Sequence, residues 1–125
     1  MKKLIEIEET EDSPGVVFDI KKNIFEITGK SLPEDPFEFY GPLHQWINEY
    51  VKMPNSITEF VIKLEYFNSA SARHIVDLLC NLKKIRKSGR EIKVVWYYNK
   101  EDEFMEERVD EIKSAVGLPF EIKTY

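Results

Sequence analysis

The sequence predicts an α/β (or α+β) fold: a single domain over residues 1–125, built on a mixed β-sheet with helices mainly on one face. Three observations carry this prediction. Apolar runs of period two alternate with stripes of helical period, in the order β-hairpin and then α-β-α-β-α-β. The segment from Phe60 to Tyr98 reads as strand, helix and strand, a unit that closes through a right-handed crossover and so makes its two strands parallel. Within the strand at 60–66, Phe60, Ile62, Leu64 and Tyr66 point one way, while Val61, Lys63 and Glu65 point the other. One face is strongly apolar, so helices are expected to cover that side of the sheet more fully.

The elements follow in order. Leu4-Ile5-Glu6-Ile7 is either a short edge strand or a loosely held terminus, and residues 8–15 form a polar loop closed by Pro14 and Gly15. Val16–Ile20 and Ile24–Thr28 read as two strands of a hairpin. Asn23, in the short turn between them, tolerates the left-handed conformation such turns need. Gly29 is expected to stop the second strand. Asp35 is placed to cap a helix whose first residue is Pro36, where the missing N–H costs nothing. Tyr40, Leu43, Ile47, Tyr50 and Val51 recur on one face of that helix. Pro42 predicts a kink or a loosened first turn near Gly41. Phe37, Phe39 and Trp46 widen its apolar surface; core and hairpin packing is the expected fate of all three, and a partner-binding surface is the alternative.

A second helix is predicted over Ala70–Lys87, with Ile75, Leu78, Leu79, Leu82 and Ile85 as its buried stripe and Gly89 beyond its end. Lys83, Lys84, Arg86 and Lys87 suit its negative end and read as a solvated face. Ile92–Tyr98 is the next strand. A third helix starts within Lys100–Glu103, buries Met105, Val109, Ile112 and Val116, and ends at Gly117. Pro119–Lys123 completes the sheet.

Composition narrows the function. The 125 residues are 42% hydrophobic, enough for one core, and carry a formal charge of −5, which argues against nonspecific binding to nucleic acid or to anionic lipid. Cys80 is the single cysteine, so no internal disulfide forms. The N-terminus turns acidic at Glu6 without an apolar h-region, and no run approaches the roughly 20 apolar residues that span a bilayer. A cytoplasmic domain with no membrane contact is the expectation. Walker, dinucleotide and H-E-x-x-H motifs are missing, so no cofactor is expected. The two histidines, His44 and His74, sit on amphipathic helices and read as surface or boundary residues. Ser69, His74 and Asp77 spell a triad in composition only. Three groups within two turns of one helix cannot surround a substrate as nucleophile, base and orienting acid. An enzyme is not expected.

One junction remains. In Tyr66-Phe67-Asn68-Ser69-Ala70-Ser71-Ala72-Arg73 a strand breaks at Asn68-Ser69 and runs straight into a helix. A hydroxyl there lies at the positive helix end, where backbone N–H groups lack partners and an anion such as a phosphate is favoured. Asn68 or Ser69 is placed to cap the helix, and Arg73 is near enough in sequence to meet a phosphate. Tyr66, Asn68, Ser69, Ala70, Ser71 and Arg73 make up the candidate switch and partner surface.

These residues, with the strand Phe60–Glu65 before them, resemble the SiaC family of bacterial regulatory phosphoproteins. Pro33–Tyr40, Lys93–Tyr98 and Leu118–Ile122 also fit, in order and at the expected spacing. The resemblance implies a fold like that of the anti-sigma factor antagonists (STAS domains). It implies phosphorylation by a cognate serine/threonine kinase and reset by a PP2C-type phosphatase. It also implies that the unphosphorylated form binds and activates a diguanylate cyclase, in cyclic-di-GMP signalling and biofilm formation. The acceptor carried over is Ser69. The family pattern has Thr followed by two serines, whereas here Ser69 is followed by Ala70 and Ser71. The acceptor hydroxyl is kept, one neighbouring hydroxyl is lost, and Ser71 is the alternate acceptor. An interaction domain that is never phosphorylated is the competing reading, and a small enzyme is the third.

Overall fold

The computed structural model describes residues 1–125. Its strands are β1 (Leu4–Ile7), β2 (Gly15–Asp19), β3 (Ile24–Ser31), β4 (Ile57–Phe67), β5 (Glu91–Tyr98) and β6 (Phe120–Thr124). Its helices are α1 (Pro36–Tyr50), α2 (Ser69–Asn81), α3 (Lys83–Lys87) and α4 (Glu103–Val116). The strands form a single six-stranded sheet in sequence order, β1-β2-β3-β4-β5-β6. β1, β2 and β3 are antiparallel neighbours, and β3 through β6 are parallel. This is the mixed-sheet α/β class the sequence predicts. Each parallel crossover steps the same way along the sheet, so right-handed connections set α1, α2 and α4 side by side on one face. The helix α2 lies between the other two and contacts both.

Beneath the helices lies one continuous core. The alternation of β2 and β3 sends Val16, Phe18, Phe25 and Ile27 inward, where Phe18 and Phe25 meet Trp46 at ring-centroid distances of 5.3 and 6.1 Å. On the helix side, Leu43, Ile47, Ile75, Leu78, Val109 and Val116 are fully buried. Asn23 takes the left-handed φ of 57° that the β2–β3 turn needs.

Local readings are corrected at five places. Gly29 does not end β3. It sits at a β-bulge with φ of 100°, a conformation only glycine adopts without strain, and the strand runs on to Ser31. Opposite it, Leu64 pairs with Gly29 and Tyr66 with Lys30, leaving Glu65 as the extra residue. The bulge reverses the alternation of β4, so Tyr66, expected inside, is exposed, and Phe67 enters the core against Trp96. The single helix predicted over 70–87 is two helices. The chain tightens at Leu82, whose N–H reaches the carbonyls of both Leu78 and Leu79, and α3 restarts from there. Phe37, expected in the core, is 80% exposed. Where Pro42 predicts a kink or a loosened first turn, α1 continues unbroken from Pro36 to Tyr50.

Candidate functional site

The parallel strands all point their carboxyl ends at one edge of the sheet, and the helices that follow start there. Three of these starts are built alike. Asp35, Asn68 and Asp102 are N-caps in extended conformation, each accepting from the backbone N–H three residues on, at Glu38, Ser71 and Met105. They differ in charge. The caps of α1 and α4 are aspartates followed by acidic first turns, whereas α2 begins with the neutral Asn68 and has no acidic residue in its first turn. Its positive end is therefore the uncompensated one.

The capping role falls to Asn68, whose Oδ1 accepts from the N–H of Ser71 at 2.9 Å. That leaves the Ser69 hydroxyl without a protein hydrogen-bond partner, at the first helical position and exposed. Ser71 is the reverse case. It is fully buried, donates to the carbonyl of Ser31 at 2.9 Å and accepts from the Ser31 hydroxyl at 2.8 Å. With that hydroxyl used on Ser71, Tyr40 supplies the proton for its own bond to Ser31 Oγ. Burial raises the Tyr40 pKa, partly offset by Ser31 and then Ser71. The Asn68 N–H also donates to the Ser31 carbonyl, at 3.1 Å. The end of β3 thus holds both the cap and the first turn of α2. An alternate acceptor at Ser71 is sealed from solvent.

Arg73, one turn beyond Ser69, is exposed and in no ion pair, since all three salt bridges lie elsewhere. Ser69, Arg73 and Asp77 line one wall of a groove of about 370 Å³ between α2 and α4, with Glu111, Ile112 and Ala115 on the other. Tyr66 and Ala70 are exposed beside it. Of the residues predicted at the junction, Tyr66, Ser69, Ala70 and Arg73 are exposed, Asn68 is half-buried and Ser71 is turned fully inward.

His74 does not reach toward Ser69. Its Nδ1 is paired with His44 Nε2 at 3.0 Å, and its ring stacks on Tyr40 at a centroid distance of 5.0 Å. Desolvation lowers the His44 pKa, His74 lowers it further, and Asp77 opposes both. The nominal triad is not assembled. Sequence reasoning also missed Arg108, whose guanidinium lies 4.1 Å from the centroid of the Phe67 ring, next to the junction. Nothing in the spacing of α4 points to that contact.

Fold and site together describe an α/β domain that offers an exposed, unbonded hydroxyl at the start of its central helix, where an anion is favoured. The family description agrees: the chain belongs to the SiaC family of regulatory phosphoproteins, whose model matches residues 7–125. A protein of Pseudomonas aeruginosa (strain UCBPP-PA14) with no assigned role is 24% identical over 116 residues, 93% of this chain and 92% of its own length. Apo-SiaC from Pseudomonas aeruginosa superimposes with a TM-score of 0.88 at 23% identity, over 98% of this chain and 99% of that one. SiaC solved as the activator in complex with the diguanylate cyclase SiaD, from the same species, gives 0.89 at 24% identity, over 97% and 99%. No helix of this chain is long and apolar enough to cross a membrane.

Proposed function

We propose that this protein is a cytoplasmic phosphoswitch adaptor, that Ser69 is its acceptor, and that its unphosphorylated form binds and activates a diguanylate cyclase. A serine/threonine kinase sets the switch and a PP2C-type phosphatase resets it. The observation that carries the reading is the contrast between two hydroxyls on one helical turn. Ser69 is exposed and unbonded, while Ser71 is buried and bonded twice. A kinase needs the first kind. The phosphate, with about −1.5 to −2 charges, would sit at a helix start with no acidic residue in its first turn and with unpaired Arg73 one turn away. Kinship with an activator solved in complex with a cyclase supports the choice of output.

The test is phosphosite mapping on protein from its own host, with binding of purified Ser69→Ala, Ser69→Glu and in-vitro phosphorylated protein to the host's diguanylate cyclase. Expected are phosphate on Ser69 only, cyclase binding and stimulation by Ser69→Ala, and weak binding by the other two forms. Equal binding by all three would end the switch reading. Stoichiometric absence of phosphate on Ser69 under every growth condition would favour an interaction domain that is not phosphorylated.

A further inference from the structure

The exposed aromatic side chains of this protein are not scattered. Phe37, Tyr66, Phe104 and Tyr125 are the four with substantial exposure, at 80%, 46%, 82% and 46%. All four lie at the carboxyl ends of the parallel strands. Phe37 is the second residue of α1, Phe104 the second residue of α4, Tyr66 the penultimate residue of β4, and Tyr125 follows β6. Because α2 lies between α1 and α4, Ser69 starts the helix between the one that carries Phe37 and the one that carries Phe104. Phe37 reaches the α2 side through an edge contact with His74, at 5.2 Å between ring centroids. Phe104 and Tyr66 line one hollow of about 350 Å³, and Phe104 and Tyr125 line an adjoining one of about 640 Å³. Isolated exposed apolar residues need no explanation, but four exposed aromatic rings gathered at one end of the sheet do.

At this edge acidic side chains outnumber basic ones. The start of α1 carries Glu34, Asp35 and Glu38, and the start of α4 carries Glu101, Asp102 and Glu103. On the basic side, Lys30 is already paired with Glu65 and Arg108 lies over the Phe67 ring, which leaves Arg73 and Lys100 as exposed cations in no ion pair. We propose that Phe37 and Phe104 are the anchors of a docking surface centred on Ser69, and that its occupant is a protein face with apolar pockets rimmed by lysine and arginine. This rests on the reading of Ser69 as the switch and names the chemistry of the partner surface. Aromatic anchors in pockets supply most of the affinity of such contacts, and complementary rims supply orientation and on-rate. A phosphate on Ser69 would meet a basic rim, so like-charge repulsion is not what releases the partner. A hydrated group on the helix between the two anchors holds the partner face off, so that they cannot both enter their pockets.

The experiment measures binding to the host's purified diguanylate cyclase by calorimetry or interferometry. It compares wild type, Phe37→Ala, Phe104→Ala, the double variant, and Met53→Ala as an exposed apolar control placed beyond the far end of α1. Circular dichroism verifies folding, which loss of an exposed ring leaves intact. Expected is a loss of about tenfold or more for the double variant, no change for Met53→Ala, and an affinity that falls as salt rises from 50 to 500 mM. Unchanged binding by the double variant, with binding still lost in Ser69→Glu, overturns the anchors and leaves the switch reading standing. An affinity independent of salt, or rising with it, overturns the basic rim. Failure of wild type to bind the cyclase at all overturns the cyclase reading and the docking surface together.

Discussion

Three neighbouring positions at the start of α2 predict three different stability costs, and measuring them tests whether Ser69 is free for a function. The chain takes Asn68 as cap, Ser69 as first helical residue and Ser71 as buried tie. Asn68→Ala removes the acceptor for the Ser71 N–H, a loss of about 1 kcal/mol. Ser71→Ala strips the Ser31 hydroxyl of its acceptor and the Ser31 carbonyl of one of two donors, in a site with no solvent, at about 1–3 kcal/mol. Ser69→Ala removes an exposed hydroxyl that bonds to nothing in the protein. Alanine is also the better helix former by a few tenths of a kcal/mol, so the change should lie within about 0.5 kcal/mol of zero. For a domain of this size, 1 kcal/mol moves the thermal midpoint by about 3–6 °C. Thermal unfolding followed by circular dichroism should therefore place Ser69→Ala at wild type, Asn68→Ala a few degrees below, and Ser71→Ala at or below that. If Ser69→Ala fell as far as Asn68→Ala, the hydroxyl would be structural and the assignment of roles along this turn would be wrong.

Two further outcomes test the surroundings of the site. Gly29→Ala should cost about 1–3 kcal/mol through backbone strain at its φ of 100°. An added Cβ would also fall 2.5 Å from the Glu9 side chain, but that chain can move. Gly29→Ala with Glu9→Ala should consequently lose as much as Gly29→Ala alone in a urea titration, and rescue would mean that crowding, not strain, sets the cost. The His44 pKa is held below its ordinary 6.5, first by desolvation and then by His74, with Asp77 opposing. The unfolded chain then binds more protons than the native one, so stability is fully present above pH 6.5 and is lost as pH falls through the lower native value. Urea midpoints between pH 7.5 and pH 5 should fall less steeply in His44→Gln than in wild type, and parallel slopes would remove His44 as the cause.

Element types and order were largely legible in the sequence because they depend on periodicity, and the cap Asp35 because it signals locally beside Pro36. The cap of α2 stayed open between Asn68 and Ser69, and that of α4 within Lys100–Glu103. What escaped depends on pairing between distant segments. Glu65 is a bulge only because Gly29 lies opposite it, and neither strand alone shows that the alternation reverses before Tyr66. Apolar spacing carries on from Leu78 through Leu82 to Ile85, without glycine or proline to mark where α2 gives way to α3. The His44–His74 contact joins residues 30 apart and exists only once α1 docks on α2. At the candidate site, the residues themselves mark the junction and the family resemblance supplies Ser69, but its difference in burial from Ser71 was not legible. Both are serines near a helix start, and only the placement of Ser31 beneath the turn buries one and frees the other.

That placement also decides how a phosphate on Ser69 would be read. The start of α2 is held from below by two bonds to the Ser31 carbonyl, from the Asn68 N–H and the Ser71 hydroxyl, with Tyr40 bonded to the Ser31 hydroxyl behind them. The Ser69 oxygen belongs to none of these bonds, so modifying it breaks no contact in the core. A phosphate there adds favourable interaction with the positive end of the helix, about 0.3–1 kcal/mol at an exposed site, and more if Arg73 closes on it. Protein phosphorylated in vitro should thus unfold at the same temperature as unmodified protein or a few degrees higher, while its binding to the cyclase is lost. Amide chemical-shift changes should be confined to residues flanking Ser69 and to the facing turn of α4 around Glu111. A lowered midpoint, or shift changes spreading to Ser31 and Tyr40, would show that phosphorylation loosens the fold. In that case release would come from a change in the domain itself, and not from a surface that no longer fits its partner.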